Sequence, residues 1–379
     1  MQNSLFPEYN EAVAKNKAPR KVRSGAVDAT SRYSTLRREL DNDPDNRNWV
    51  EVDTTSGVPN NRKPTYVDLF SGAGGMSVGF RNAGFQKLAS VEIDEIASKT
   101  IQHNFPESHH FNKPIQELTN EELDAALNGQ EVDVVCGGPP CQGFSVAGLR
   151  RHDDPRNKLF WEYIRIVQHL RPKYLVMENV PGILTMQDGK VYKEILHQFA
   201  LAGYPNVSVR ILEAAEYGVP QLRTRAIFIG NRMDMPNPYP AKIRTRDTYS
   251  TIDETIEDLK HKPFDPTINH HGTTHSKTME ERLAAIPPGG SLYETFRDAW
   301  KRQYKGRPSM AIKENHGGVH VHYDLNRVLT AREMARLQTF PDSFFFQGTF
   351  KKAYWQIGNA VPCLFAEHIA KGVKKQLLK

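Results

Sequence analysis

The chain has 379 residues, and 50 Lys and Arg against 44 Asp and Glu give it a formal charge of +6. That length supports a sizeable core and about two domains, while the lack of any unbroken apolar run near ~18 residues excludes a membrane-spanning helix. Three cysteines exclude a disulfide scaffold and suit a reducing, cytoplasmic compartment; the surplus positive charge permits an acidic partner such as nucleic acid without demanding one.

Residues 1–63 are polar and broken up, with eleven basic and nine acidic side chains nearly cancelling. With few large apolar residues to anchor a core, they read as a loosely ordered extension, the alternative being a basic arm that touches nucleic acid. From Thr65 the texture changes. Residues 66–70 read as a buried strand, 71–75 as a glycine turn, and 76–83 as a helix by apolar spacing. Further strands are expected over 87–93, 132–136, 174–177 and 225–230, with helices over 96–105, 157–170 and 190–202. Strands alternating with helices of about 10–15 residues indicate an α/β domain on a doubly wound, mostly parallel sheet over 64–230.

The pattern fades over 231–326, where Pro and Gly recur and seven of the fourteen histidines collect. This stretch reads as a smaller, loop-rich module. Helices return at 327–338 and 362–378, and 327–379 is expected to complete the α/β domain.

The turn Phe70-Ser71-Gly72-Ala73-Gly74-Gly75 sits between a strand and a helix. Glycines there let a ligand approach the backbone, and the helix start presents free N–H groups. Glu92 follows Gly72 by twenty positions at the end of the next strand, where a carboxylate can accept ribose hydroxyls. A dinucleotide, S-adenosylmethionine or plain tight packing all suit this signal, although the spacing differs from Gly-x-Gly-x-x-Gly.

A second loop, Gly137-Gly138-Pro139-Pro140-Cys141-Gln142-Gly143-Phe144-Ser145, belongs at the same edge of the sheet. Two prolines stiffen the approach to Cys141, and a thiol held in place is a candidate nucleophile. Cys136 within its Val-rich strand and Cys363 read as packing residues. Cys136 and Cys141 lack the second pair that a zinc site needs, so no metal is expected.

Taken in order, these residues resemble the DNA (cytosine-5) methyltransferases. The similarity covers about 65–230 and 326–375. Asp68 to Gly75 look like the family's cofactor motif and Pro140-Cys141-Gln142 like its catalytic motif. Glu178-Asn179-Val180, Gln221-Leu222-Arg223-Thr224-Arg225, Arg332 to Pro341 and Gly358-Asn359-Ala360-Val361 match its later motifs.

The resemblance implies the S-adenosylmethionine-dependent methyltransferase fold and that cofactor. Phe70, Gly72, Gly74, Glu92, Ile93, Ile115, Pro140, Leu159, Asn359 and Ala360 are then expected around it. Where the family often reads Asp-Ile for the adenine, this chain reads Lys113-Pro114-Ile115. Pro114 has no side-chain acceptor, leaving the backbone or Asn112 for that contact.

For the chemistry, the resemblance implies Cys141 as nucleophile on carbon 6 of cytosine and Glu178 as proton donor toward ring nitrogen 3. It assigns Arg225 to the 2-oxo group and Arg223 to support of Cys141 or its loop. The target base must leave the duplex to reach Cys141. Gln142 and Ser145 are expected to face the DNA. In the 231–326 module, Arg297, Lys301, Arg302, Lys305 and Arg307 form a basic run interleaved with Trp300 and Tyr304, suited to phosphates or to a solvated helix face. The module as a whole carries 14 basic and 13 acidic residues, so its net charge singles out nothing.

The absence of appended reader domains resembles prokaryotic restriction-modification enzymes. That implies a monomer acting on double-stranded DNA and paired in function with a restriction endonuclease. The alternatives are a tRNA methyltransferase and a non-catalytic DNA-binding regulator; an amino-methylating DNA enzyme is excluded because its loop typically reads Asp/Asn-Pro-Pro-aromatic.

Overall fold

The computed structural model describes residues 33–57, 62–140, 158–293, 299–314 and 320–379. In chain order the strands are β1 (Trp49–Val52), β2 (Thr65–Leu69), β3 (Gln86–Glu92), β4 (His109–Asn112), β5 (Val134–Gly137), β6 (Tyr174–Asn179), β7 (Asn206–Glu213), β8 (Gln221–Leu222), β9 (Thr224–Asn231) and β10 (Asn237–Pro240). Seven of them form one sheet in the order β4-β3-β2-β5-β6-β9-β7. The first five are parallel, while β9 runs antiparallel to both β6 and β7.

β2 and β5 are almost wholly buried, so their apolar runs show no alternation, as expected of strands covered on both faces. Helices Lys158–Leu170 and Lys190–Leu201 cover one face, and Gly75–Asn82 and Cys363–Leu377 cover the other. The chain is therefore a doubly wound α/β protein. Local signals set the element ends. The Asp94 carboxylate accepts from the Ile96 and Ala97 N–H groups at 3.0 and 2.9 Å to start Glu95–Asn104, and Thr119 and Glu122 cap Asn120–Leu127 reciprocally.

The N-terminal segment departs from its sequence reading. Residues 33–57 are folded onto the sheet rather than loosely ordered; residues 1–32 lie outside the described residues. Helix Ser34–Asn42 is joined to the main body by a two-pronged Arg37–Glu216 pair at 3.2 and 2.8 Å. β1 pairs in parallel with β10. The buried Asn46 amide stands in for a missing strand beside edge strand β7. Its Nδ2 donates to Val209 O at 2.8 Å and its Oδ1 accepts from Val209 N at 2.8 Å, sealing an edge that would otherwise present bare backbone groups. Next along β7, the Arg210 guanidinium lies 3.8 Å from the Trp49 ring and is paired with Glu51 and Asp41. These polar contacts anchor the segment alongside Leu40, which joins the core, and Leu36 and Trp49, which pack against the cores, and a count of its apolar residues misses them.

Asn46→Ala strips Val209 of both partners and leaves Leu40 O without the Nδ2 donor as well. A loss on the order of 3 kcal/mol is expected for such orphaned buried groups. An unchanged urea midpoint for this variant would rule the edge seal out.

The boundary at 231 also moves. β10 lies within the stretch read as the loop-rich module, yet it packs against helix Cys363–Leu377 beside the central sheet. Ile252 and Ile256 share a core with Leu329, Met334 and Tyr354. What has a core of its own is smaller: Leu283, Ile286 and Val321, flanked by Met279, Leu292 and Trp300. Helix Lys277–Ala284 and the two-residue strands β11 (Lys301–Arg302), β12 (Ser309–Met310) and β13 (His320–Val321) frame this part; β12 pairs with β8, tying the module to the main domain.

Among the described residues of 231–326, His270, His320 and His322 are buried. His322 Nδ1 accepts from the Asp324 and Leu325 N–H groups, both at 3.1 Å, and His320 meets Gln303 at 3.1 Å. Burial pushes His322 down to about 4 and His320 to about 3, from an ordinary 6.5. The unfolded chain therefore binds their protons first. Stability is fully present above pH 6.5 and is lost as pH falls toward 4. Urea midpoints should fall from pH 7 to pH 5, with a shallower fall in His322→Asn, whose Oδ1 can take over both amide contacts. Equal midpoints at the two pH values in the parent chain would contradict this.

Candidate cofactor and catalytic site

Ligands in an open parallel sheet collect beyond the carboxyl ends of strands that send their chains to opposite faces. That point lies between β2 and β5. The turn after β2 bends sharply, with positive φ at Phe70 (57°), Gly72 (52°) and Gly74 (91°). Glycine relieves two of these positions; Phe70 accepts the left-handed backbone while its ring packs on the core. Glu92, at the end of β3, closes over the turn. Its Oε2 accepts from Gly72 N at 2.7 Å and its Oε1 from Asp94 N at 2.9 Å. Burial raises its pKa above the usual carboxylate value, against the pull of these N–H bonds.

A cavity of about 850 Å³ opens here, lined by Phe70, Gly72, Glu92, Ile93, Ile115, Pro140, Leu159, Asn359 and Ala360. Of the residues expected around the cofactor, Gly74 alone is not on the wall. A Cβ there would lie 2.6 Å from Ile101 Cδ1, so this glycine serves the turn and its packing. Trp355 and Gln116 also line the cavity and were not expected. Trp355 stands one helical turn before Asn359, which was the available signal. Pro114 does reach the wall, while Asn112 does not line it, and its Nδ2 donates to Glu92 O and Ile93 O at 3.1 and 3.3 Å. Gln116, two residues after Pro114, brings both a donor and an acceptor to that wall.

Glu178 ends β6 on the same cavity. Its Oε1 is 2.6 Å from Arg225 Nε, and both side chains are largely buried. Its Oε2 faces Gly138, where a Cβ would come within 3.2 Å. Asn179 Nδ2 donates to Pro139 O at 3.0 Å, pinning the end of β6 to the loop that leads to Cys141. Cys141, Gln142, Ser145 and Arg297 lie outside the described residues. Pro140, immediately before Cys141, is on the cavity wall. Cys136 and Cys363 are free and buried, and burial pushes both thiols up.

Arg223 is buried and donates to Ile312 O at 2.8 Å and Gly358 O at 3.2 Å. Within the described residues it links β8 and β9 to the segment ahead of Asn359. The basic run fares differently from its sequence reading. Arg302 is not a phosphate contact: it is buried, and its guanidinium donates to Leu283 O, Ile286 O, His322 O, Leu325 O and Asn326 Oδ1 at 2.6–3.0 Å. All five of its N–H groups are engaged inside the module. Lys305 is exposed but lies within electrostatic reach of Asp253, Glu257 and Asp324, a setting that repels phosphate. Lys301 is half-buried in β11. Arg307 is exposed, with its guanidinium 4.8 Å from the Tyr304 ring.

Residues 65–375 match the family model described as C-5 cytosine-specific DNA methylase. Type II methyltransferase M1.HphI of Haemophilus parahaemolyticus is 41% identical over 326 residues, covering 82% of this chain and 87% of that protein. Type II methyltransferase M.XorII of Xanthomonas oryzae pv. oryzae is 34% identical, covering 84% and 86%. Among solved structures, a putative DNA modification methyltransferase encoded within an E. coli prophage aligns with a TM-score of 0.66 at 29% identity, over 84% of this chain and 100% of that one. A Spodoptera frugiperda DNMT2 mutant aligns with a TM-score of 0.61 at 19% identity, over 82% and 99%, a likeness of fold.

Proposed function

The chain belongs to the C-5 cytosine-specific DNA methylases, and from that premise we propose that it modifies one cytosine within a short double-stranded DNA sequence through a covalent Cys141 adduct on a flipped-out base. It is a DNA (cytosine-5) methyltransferase. The cavity fits the S-adenosylmethionine that such an enzyme uses: it is large enough, and it joins a glycine turn at a helix start to the Glu92 carboxylate. Phe70, Gly72, Glu92, Asn359 and Ala360 would hold the cofactor, with Gln116 and Trp355 on the same wall. When bound, S-adenosylmethionine supplies the electrophilic methyl group that carbon 5 takes.

Carbon 5 of cytosine is a weak nucleophile until carbon 6 is attacked. The Cys141 thiolate adds to carbon 6, and electron density moves toward ring nitrogen 3, where Glu178 delivers a proton. Arg225 orients that carboxyl through Oε1 and leaves Oε2 on the Gly138 side. Once carbon 5 is methylated, its proton leaves to a base, the carbon 6–sulfur bond breaks, Cys141 departs as thiolate, and ring nitrogen 3 returns its proton to Glu178. Glu178→Gln keeps the shape and an acceptor for Arg225 but cannot act as this acid. Its kcat should fall by about 10²–10⁴, and activity within threefold of the parent would remove Glu178 from the role.

The observation that carries this reading is the meeting, at one cavity, of Glu92 and its glycine turn with Glu178 and the Gly138–Pro140 approach to Cys141. In the cell we place the enzyme in the prokaryotic cytoplasm, a monomer on DNA that shields its sites from a cognate endonuclease. Label transfer from S-adenosylmethionine into duplex DNA and into tRNA, run side by side and followed by bisulfite sequencing, tests it. Label at one cytosine of a short DNA sequence is expected; label in tRNA with none in duplex DNA would overturn it.

A further inference from the structure

With Arg302 enclosed and Lys305 among carboxylates, the described part of the expected basic run offers no continuous face to DNA. Another segment does. β9 runs antiparallel to β6 and so carries the chain away from the catalytic edge, and β10 brings it back. Residues 242–248 then run exposed, with Lys242, Arg244 and Arg246 at alternate positions and Asp247 beside them.

This ribbon is held in place at the edge where Glu178 and Arg225 lie. β7 points the same way as β6, since both are antiparallel to β9, so the turn Ala214–Tyr217 that follows it sits on that edge. The Glu216 carbonyl in that turn accepts from the Ile243 and Arg244 N–H groups, both at 3.0 Å. The Glu216 carboxylate holds Arg37 of the N-terminal helix and Lys242 at 3.0 Å. One residue thus clamps the start of the ribbon to two other parts of the chain. Ile243 packs over Gly218, where a Cβ would lie 3.9 Å from Ile243 Cδ1, three residues before Gln221.

Resting on the reading of the chain as a DNA methyltransferase, we propose that Arg244 and Arg246 grip the phosphate backbone of the duplex beside the catalytic cleft, with Lys242 and Glu216 positioning them. The pair fixes the enzyme on DNA without reading bases, because phosphate contacts carry affinity and orientation rather than sequence. Each phosphate neutralised releases counterions, so each contact adds about 0.9 to the slope of log affinity against log salt.

The test uses the full chain, a duplex of random sequence and salt from ~50 to ~200 mM, the range over which such contacts show. In the double variant Arg244→Gln/Arg246→Gln the slope should drop by about two, and DNA affinity should weaken at least tenfold at the upper salt, given that slope. S-adenosylmethionine affinity should stay at the parent value. Arg244→Lys/Arg246→Lys should restore the slope, and Lys305→Gln should leave it unchanged. A double Gln variant with the parent slope and affinity overturns the ribbon while leaving the enzyme's activity on DNA intact. A parent chain that binds no duplex overturns the DNA reading and the ribbon with it.

Discussion

Cys141→Ala is expected to reduce methyl transfer by on the order of 10⁴-fold or more, the scale on which removing a covalent nucleophile acts. Alanine offers no electron pair for carbon 6, so carbon 5 remains an unactivated aromatic carbon. Cys141→Ser should be nearly as inactive, because a hydroxyl ionises far less readily than a thiol. Cofactor affinity should persist in both, since Glu92, the glycine turn and Asn359 form the cavity wall independently of the thiol. DNA with 5-fluorocytosine at the target separates this from a general loss of structure. Fluorine cannot leave carbon 5 as a proton does, so the parent enzyme should stay covalently bound through sulfur and the variants should not. A trapped Cys141→Ala complex would place the nucleophile elsewhere.

Gly75→Ala is expected to lower S-adenosylmethionine affinity by about 10–100-fold. A Cβ at Gly75 would fall 2.2 Å from the Val361 carbonyl oxygen and 3.1 Å from Ala360 Cβ. The obstacle is mostly backbone, which cannot step aside as a flexible side chain can. Helix Gly75–Asn82 and the 359–361 segment must therefore separate, at about 1–3 kcal/mol for overpacking of this kind. The separation strains the cavity wall formed by Asn359, Ala360 and Val361; one to two factors of ten correspond to about 1.4–2.8 kcal/mol. Gly182→Ala is the control, because a Cβ there meets nothing within 4 Å. Calorimetric titration that found Gly75→Ala and Gly182→Ala equal to the parent would show that the close approach is not needed for binding.

The central sheet and the glycine turn are legible before any coordinates. The 66–70 strand, the glycine turn and Glu92 twenty residues after Gly72 declare themselves because strand burial, turn conformation and βαβ spacing act over short distances along the chain. The two flanking helix layers follow from the alternation of elements. Less regular segments do not announce themselves in this way. β4 reads His-His-Phe-Asn, and β7 carries Ser208 and Arg210 among its apolar residues.

Polar residues whose burial depends on remote partners were beyond local reading. Asn46 looks like a loop residue until Val209, 163 positions away, takes both ends of its amide. Arg302 looks like a phosphate contact until five acceptors enclose it, and Arg244 looks unremarkable until Glu216 fixes its backbone at the catalytic edge. The sequence by itself determined the doubly wound sheet and the glycine turn, since these rest on periodicity and spacing within a few tens of residues, while the residues for the chemistry follow from the family resemblance. Only the tertiary structure decided which charges are buried, which stay exposed, and that residues 33–57 belong to the fold. A charge costs little in water and a great deal when buried without partners, and where it ends up depends on which distant groups the fold brings to meet it.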